Sequence, residues 1–133
     1  MKLVELSDRV AVSGQVELEQ VAAIAAAGYR VLVNNRPDGE VPGQPTSAEM
    51  AAAAAAAGMV YHYLPITVMN FPGAALEEVA ATFDEGGPVL AFCRSGTRST
   101  NLWVASRPFA ERATARERAR QLGYDLSMAD RLG

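Results

Sequence analysis

The chain has 133 residues, half of them hydrophobic and 20% charged, with a formal net charge of −3 at pH 7. That suits one domain over 1–133 with an ordinary core, and the mild acidity gives no basis for a nucleic-acid or anionic-membrane partner. A single cysteine leaves no internal disulfide framework. No uncharged apolar run nears the roughly 18 residues of a membrane span, and the charges in MKLVELSDRVAV are unlike a secretory signal, so the expected compartment is the cytoplasm.

Short β-branched runs alternate with alanine-rich helical stretches. Arg9–Ser13 reads as a short strand, and Gln15–Ala27 as a helix with Leu18, Val21, Ala22 and Ala25 on one face, stopped by Gly28. Val31–Asn34 reads as a buried strand before a turn-rich loop, NRPDGEVPGQP. Thr46 and Glu49 form a capping box heading a helix that runs to Gly58. Val60–Leu64 is a third strand, and Gly73–Glu85 a helix with Leu76, Val79, Ala80 and Phe83 at i, i+3, i+4 and i+7. Val89–Phe92 is the fourth strand. A helix begins beyond Cys93, and Pro108 restarts it as another that ends at Gly123. The order predicts an α/β domain with a four-stranded, mainly parallel sheet flanked by helices. In such sheets ligands sit beyond the carboxyl ends of the strands.

The segment Cys93-Arg94-Ser95-Gly96-Thr97-Arg98-Ser99 occupies such a position. Backbone amides of a strand-to-helix loop can converge into an anion-binding nest, and the helix terminus adds positive potential that favours thiolate over thiol. Gly96 permits a tight turn, Arg98 offers a planar fork to an oxyanion, and Ser99 is placed to donate to the cysteine sulfur. Thr97 and Ser95 can assist, and Arg94 adds cationic character or faces solvent. A lone cysteine closing an apolar strand is usually a small buried hydrophobe. Two arginines, a glycine and three hydroxyls within six residues make a poor core, so the functional reading is preferred.

CRSGTRS, with the upstream VLVNNRPDGE and the following LW, resembles the phosphatase-like domain of β-lactamase-hydrolase-like proteins. The likeness runs from about Leu6 to the GYDL at Gly123–Leu126. It implies a fold similar to the dual-specificity tyrosine phosphatases, with Cys93 as nucleophile and Arg98 as anion clamp. Members of that family carry both sulfurtransferase and phosphatase labels, and some are fused to a metal-dependent hydrolase-like domain that handles persulfides.

Against the phosphatase pattern C-x5-R, this loop has its glycine in place at Gly96 but its arginine one residue early, C-x4-R. The shorter loop resembles that of rhodanese-type sulfurtransferases. The segment after the third strand, PITVMNFPG (Pro65–Gly73), lacks the general-acid aspartate of dual-specificity phosphatases. Losing that acid forfeits roughly 10²–10⁴-fold in ester hydrolysis, whereas sulfur transfer expels a group that needs no proton. The leading expectation is sulfur transfer through a Cys93 persulfide, taking a small sulfur-containing anion as donor and a thiol or persulfide as acceptor. A phosphatase-like hydrolase of small phosphorus-containing anions is the alternative, and a non-catalytic anion-binding or interaction domain the third reading. Asp38 or Glu40 is the candidate substitute acid, although Pro-Asp-Gly is also strong turn chemistry. Arg36 either clamps an anion across the cleft or pairs with a local carboxylate. His62 reads as structural, a Cys–His dyad being the lesser option. No metal-ligand cluster is visible, and no cofactor is expected.

Overall fold

Alternate residues of the central strands belong to two different cores. Val31 and Val33 join one cluster and Leu32 the other, and Val89 and Ala91 are likewise separated from Leu90 and Phe92. This is the period-two pattern of strands buried on both faces, and it explains why their sequences are continuously apolar. The computed structural model describes residues 2–132. Its strands are β1 (Val4–Glu5), β2 (Val10–Ser13), β3 (Val31–Asn34), β4 (Val60–Tyr63) and β5 (Val89–Phe92). The helices are α1 (Val21–Ala26), α2 (Ser47–Ala56), α3 (Leu76–Asp84), α4 (Thr97–Ala105), α5 (Phe109–Gln121) and α6 (Ser127–Asp130).

The sheet order is β1-β2-β5-β3-β4, parallel throughout except for β1, which runs antiparallel to β2. The sheet therefore has five strands where four were expected. The additional strand is two residues long and pairs only at the edge, Val4 with Val12 and Glu5 with Ala11. On one face Val79, Phe83, Leu102, Trp103, Ala119 and Ala129 bring α3 to α6 into one core; on the other, Val21, Ile24, Met50 and Ala54 bring α1 and α2 into a second.

Helix starts follow local chemistry. Thr46 Oγ1 accepts from the Glu49 amide at 3.1 Å while Glu49 Oε1 accepts from the Thr46 amide at 2.9 Å, the reciprocal cap expected from the sequence. The first helix is shorter than the Gln15–Ala27 expectation, because Leu18–Gln20 winds as a 3₁₀ turn before α1. Asn101, fully buried on α4, fastens α6 and the segment before it. Its Nδ2 donates to Asp125 O at 2.8 Å, and its Oδ1 accepts from the Ala129 amide at 3.0 Å. No helix among the described residues is long and apolar enough to cross a membrane.

With β5 between β2 and β3, the loops leaving all three strands meet at one edge of the sheet. Cys93 stands at the carboxyl end of the central strand.

Candidate active site

Strand β5 delivers Cys93 into the core edge, fully buried, with its amide donating to Ser13 O at 3.3 Å. The chain then turns over itself and enters α4. Gly96, at φ +90°, makes the turn in a left-handed conformation that a side chain would strain, and its amide donates to Cys93 Sγ at 3.1 Å. Beneath the loop lies Gly14, where an added Cβ would come within 2.9 Å of Arg94 O, so this close approach requires glycine. The amides of Arg94, Ser95, Thr97 and Arg98 have no acceptor among the described residues. Those of Thr97 and Arg98 are the unpaired donors of a helix N-terminus, and α4 aligns its dipole behind them. The geometry is that of a nest around the sulfur, open to an anion.

The guanidinium of Arg98 spans the mouth. Nη1 and Nη2 donate to the two carboxylate oxygens of Glu40 at 2.7 and 2.9 Å, and Nη1 also donates to Ile66 O at 3.0 Å. Glu40 Oε1 accepts as well from Arg36 Nε at 2.8 Å, and the buried Arg36 donates from Nη1 to Gln15 Oε1 at 2.9 Å. One carboxylate thus ties together the loops after β2, β3, β4 and β5. Hydrogen bonds from Arg98, then from Arg36, hold the Glu40 carboxyl at about 2, against desolvation that pushes the other way. Glu40 is therefore ionised throughout the neutral range and has no proton to give.

The model of the phosphatase-like domain of β-lactamase hydrolase-like proteins matches residues 2–110. The chain belongs to that family. A β-lactamase hydrolase-like protein of Agrobacterium fabrum is 33% identical over 135 residues, covering 98% of this chain but 31% of that protein. One from Xylella fastidiosa Temecula1 is 38% identical over 109 residues, covering 80% of this chain and 25% of that protein. The chain therefore spans about a third or less of the length of these relatives. The crystal structure of "a putative phosphatase" from Neisseria meningitidis Z2491 is similar over 99% of this chain and 96% of that one, at 28% identity and a TM-score of 0.78.

Within this phosphatase-like domain several sequence expectations change. Asp38 is close to the cleft in sequence but not in role, because its Oδ1 accepts from the Ser47 amide at the head of α2 at 2.8 Å. A carboxylate at a helix N-terminus is stabilised where it is, and it is Glu40, two residues on, that reaches Arg98. Arg36 pairs with that local carboxylate rather than spanning the cleft alone. Ser99 was expected to donate to the cysteine sulfur. Its Oγ is buried with no partner among the described residues, and the donor is instead the Gly96 amide. Arg94 and Ser95 are exposed; Ser95 Oγ donates to Thr97 Oγ1 at 3.2 Å. His62 lines a surface cavity with Val60, Thr82, Glu85 and Gly86, so no Cys–His dyad forms. Sequence reasoning missed Tyr124 as a site residue. Its hydroxyl lies over the outer side of Gly96, 3.3 Å from where a Cβ there would stand.

The bridge predicts a pH signature. Folded, Glu40 is held well below its ordinary value of 4.5, so its contribution to stability is present above that value and is lost as pH falls toward about 2. Solvent at the cleft mouth keeps the gain modest. Urea denaturation of Glu40→Gln should show a deficit against wild type near neutral pH that shrinks on acidification. A deficit independent of pH would mean that Glu40 acts through packing rather than charge.

Proposed function

We propose that this domain transfers sulfur through a persulfide on Cys93. The observation that carries this reading is that, among the described residues, no carboxyl group beside the loop is free to give a proton. Glu40 is held ionised by two arginines, Asp38 is committed to α2, and Pro65–Gly73 contains no carboxylate. In the transfer, Cys93 Sγ as thiolate attacks the outer sulfur of a thiosulfate or persulfide donor. A new S–S bond forms, the donor's S–S bond breaks, and its electron pair leaves on sulfite or thiolate. An acceptor thiolate or cyanide then attacks the outer sulfur and the electron pair returns to Cys93. Neither step moves a proton, which matches a site without an acid. The open loop amides and the Arg98 guanidinium beside Cys93 stabilise the charge that passes over the sulfur atoms.

Phosphoester hydrolysis is the second reading. It is favoured by the family's phosphatase-like description and by the related Neisseria structure. Intact mass spectrometry after thiosulfate treatment tests the first reading. The expected result is an adduct of one sulfur atom on Cys93, removed by cyanide with release of thiocyanate. An unmodified protein that turns over p-nitrophenyl phosphate would instead establish the second.

A further inference from the structure

Strand β4 is an edge of the sheet, paired with β3 alone. The amides of Val60 and Leu64 donate inward to Arg30 O and Asn34 O, at 2.9 Å each. Backbone groups alternate along a strand, so the amides and carbonyls of Tyr61 and Tyr63 point away from β3, and neither amide has an acceptor among the described residues. Exposed edges are usually guarded by a charge, a proline or a bulge. Val60–Tyr63 has none of these, and the sequence from Met50 to Leu76 contains no Asp, Glu, Lys or Arg. Val60 is 54% exposed and Tyr63 37%. Between the strand and α3 lies a surface cavity of about 290 Å³, walled by Val60, His62, Ala81 and Thr82 among others. The strand is held in place from its other face, where Tyr61 Oη accepts from Asn34 Nδ2 at 3.0 Å and Tyr63 Oη from the Asp38 amide at 2.9 Å.

We propose that β4 is a self-pairing edge, on which a second copy of this chain adds its own β4 antiparallel to form one continuous sheet. The strand is self-complementary about His62. With the two-fold axis there, Tyr61 lies opposite the partner's Tyr63, and Tyr63 opposite the partner's Tyr61. These are the residues whose backbone groups point outward, so each pair exchanges both of its hydrogen bonds. On one face the tyrosine rings pair across the strands. On the other, Val60 meets the partner's Leu64 beside the α3 cavity, and its exposed apolar surface is covered. An unrelated extended peptide would satisfy the same amides. The match of Val60 to Leu64 and of Tyr61 to Tyr63 about one central residue instead fits the strand to itself, as an isologous contact requires. Because the pairing is antiparallel, the two Cys93 loops open at opposite ends and neither mouth is covered.

Sedimentation over a concentration series, combined with amide hydrogen exchange, tests this. Wild type is expected to reach twice the chain mass as concentration rises. The Tyr61 and Tyr63 amides, unbonded in a single copy, should gain protection over the same range. Val60→Lys sets a charge on the edge at a position already exposed in the single copy. The expected result is loss of the dimer with the fold and sulfate binding retained. A chain that stays at single mass throughout overturns the proposal, and so does a dimer that survives in folded Val60→Lys. A dimer whose Tyr61 and Tyr63 amides exchange as freely as in dilute protein overturns it too, since its contact then lies elsewhere. The exchange measurement is made on wild type, so it decides the matter even where Val60→Lys fails to fold. Neither readout depends on the chemistry at Cys93.

Discussion

Cys93→Ser is expected to abolish sulfur transfer and any phosphoester hydrolysis together, leaving both at the uncatalysed background. A serine hydroxyl in the same nest stays protonated, and without a neighbouring general base it is a far weaker nucleophile than a thiolate. Sulfur has a further role that oxygen cannot take, since the carrier must form and break an S–S bond under mild conditions. The substitution removes little volume and leaves the Gly96 amide with an acceptor, so the loop should persist and still bind sulfate. Comparing two substrates in wild type then separates the chemistries. An aryl phosphate with a good leaving group needs little protonation and gives hydrolysis its best chance in a site without an acid. Thiocyanate formation that exceeds p-nitrophenyl phosphate turnover by a wide margin is the expected result. Robust phosphate turnover without sulfur transfer, lost in Cys93→Ser, would reverse the order. Sulfate binding with neither activity would leave the loop as a binding site only.

The parts of this molecule legible in its sequence are those governed by local or periodic rules. Val31–Asn34 and Val89–Phe92 are continuously apolar because both faces are covered, and both strands lie where that pattern puts them. The Thr46–Glu49 cap is a four-residue interaction and is equally readable. Strand β1 was not, because two residues carry no period and their pairing depends on a partner strand met only after the chain turns back. Helix α6 was missed for a similar reason: Ser127–Asp130 is a single turn held by Asn101, 28 residues from Ala129, rather than by its own sequence. The cysteine loop stood out because strand, nest residues and helix start are consecutive. Its partners did not. Glu40 lies 58 residues from Arg98, and the NNRPDGE segment offered two carboxylates with nothing local to choose between them. The choice is made by α2, whose N-terminus captures Asp38.

Arg98→Lys tests whether the arginine binds the ligand or merely closes the loops. Arg98 has its Nη1 and Nη2 on Glu40 and one of them also on Ile66 O, which leaves the Nε edge of the same plane to turn toward the nest. A lysine ammonium is a point charge with three donors and cannot hold the carboxylate bidentately while presenting a second, coplanar edge to an anion. Sulfate affinity measured by calorimetry should therefore fall by roughly 10- to 100-fold, the cost of losing a charge-assisted hydrogen bond of about 1.5–3 kcal/mol. Lysine preserves the net charge, so long-range attraction is unchanged and the loss reports geometry. Glu40→Gln supplies the control from the other side of the pair, because it keeps the arginine but loosens its orientation. If Arg98 is the ligand-binding group and Glu40 its support, Arg98→Lys should lose more affinity than Glu40→Gln. Unchanged sulfate affinity in Arg98→Lys would show that the backbone nest alone holds the anion and that Arg98 serves only to join its loop to Glu40.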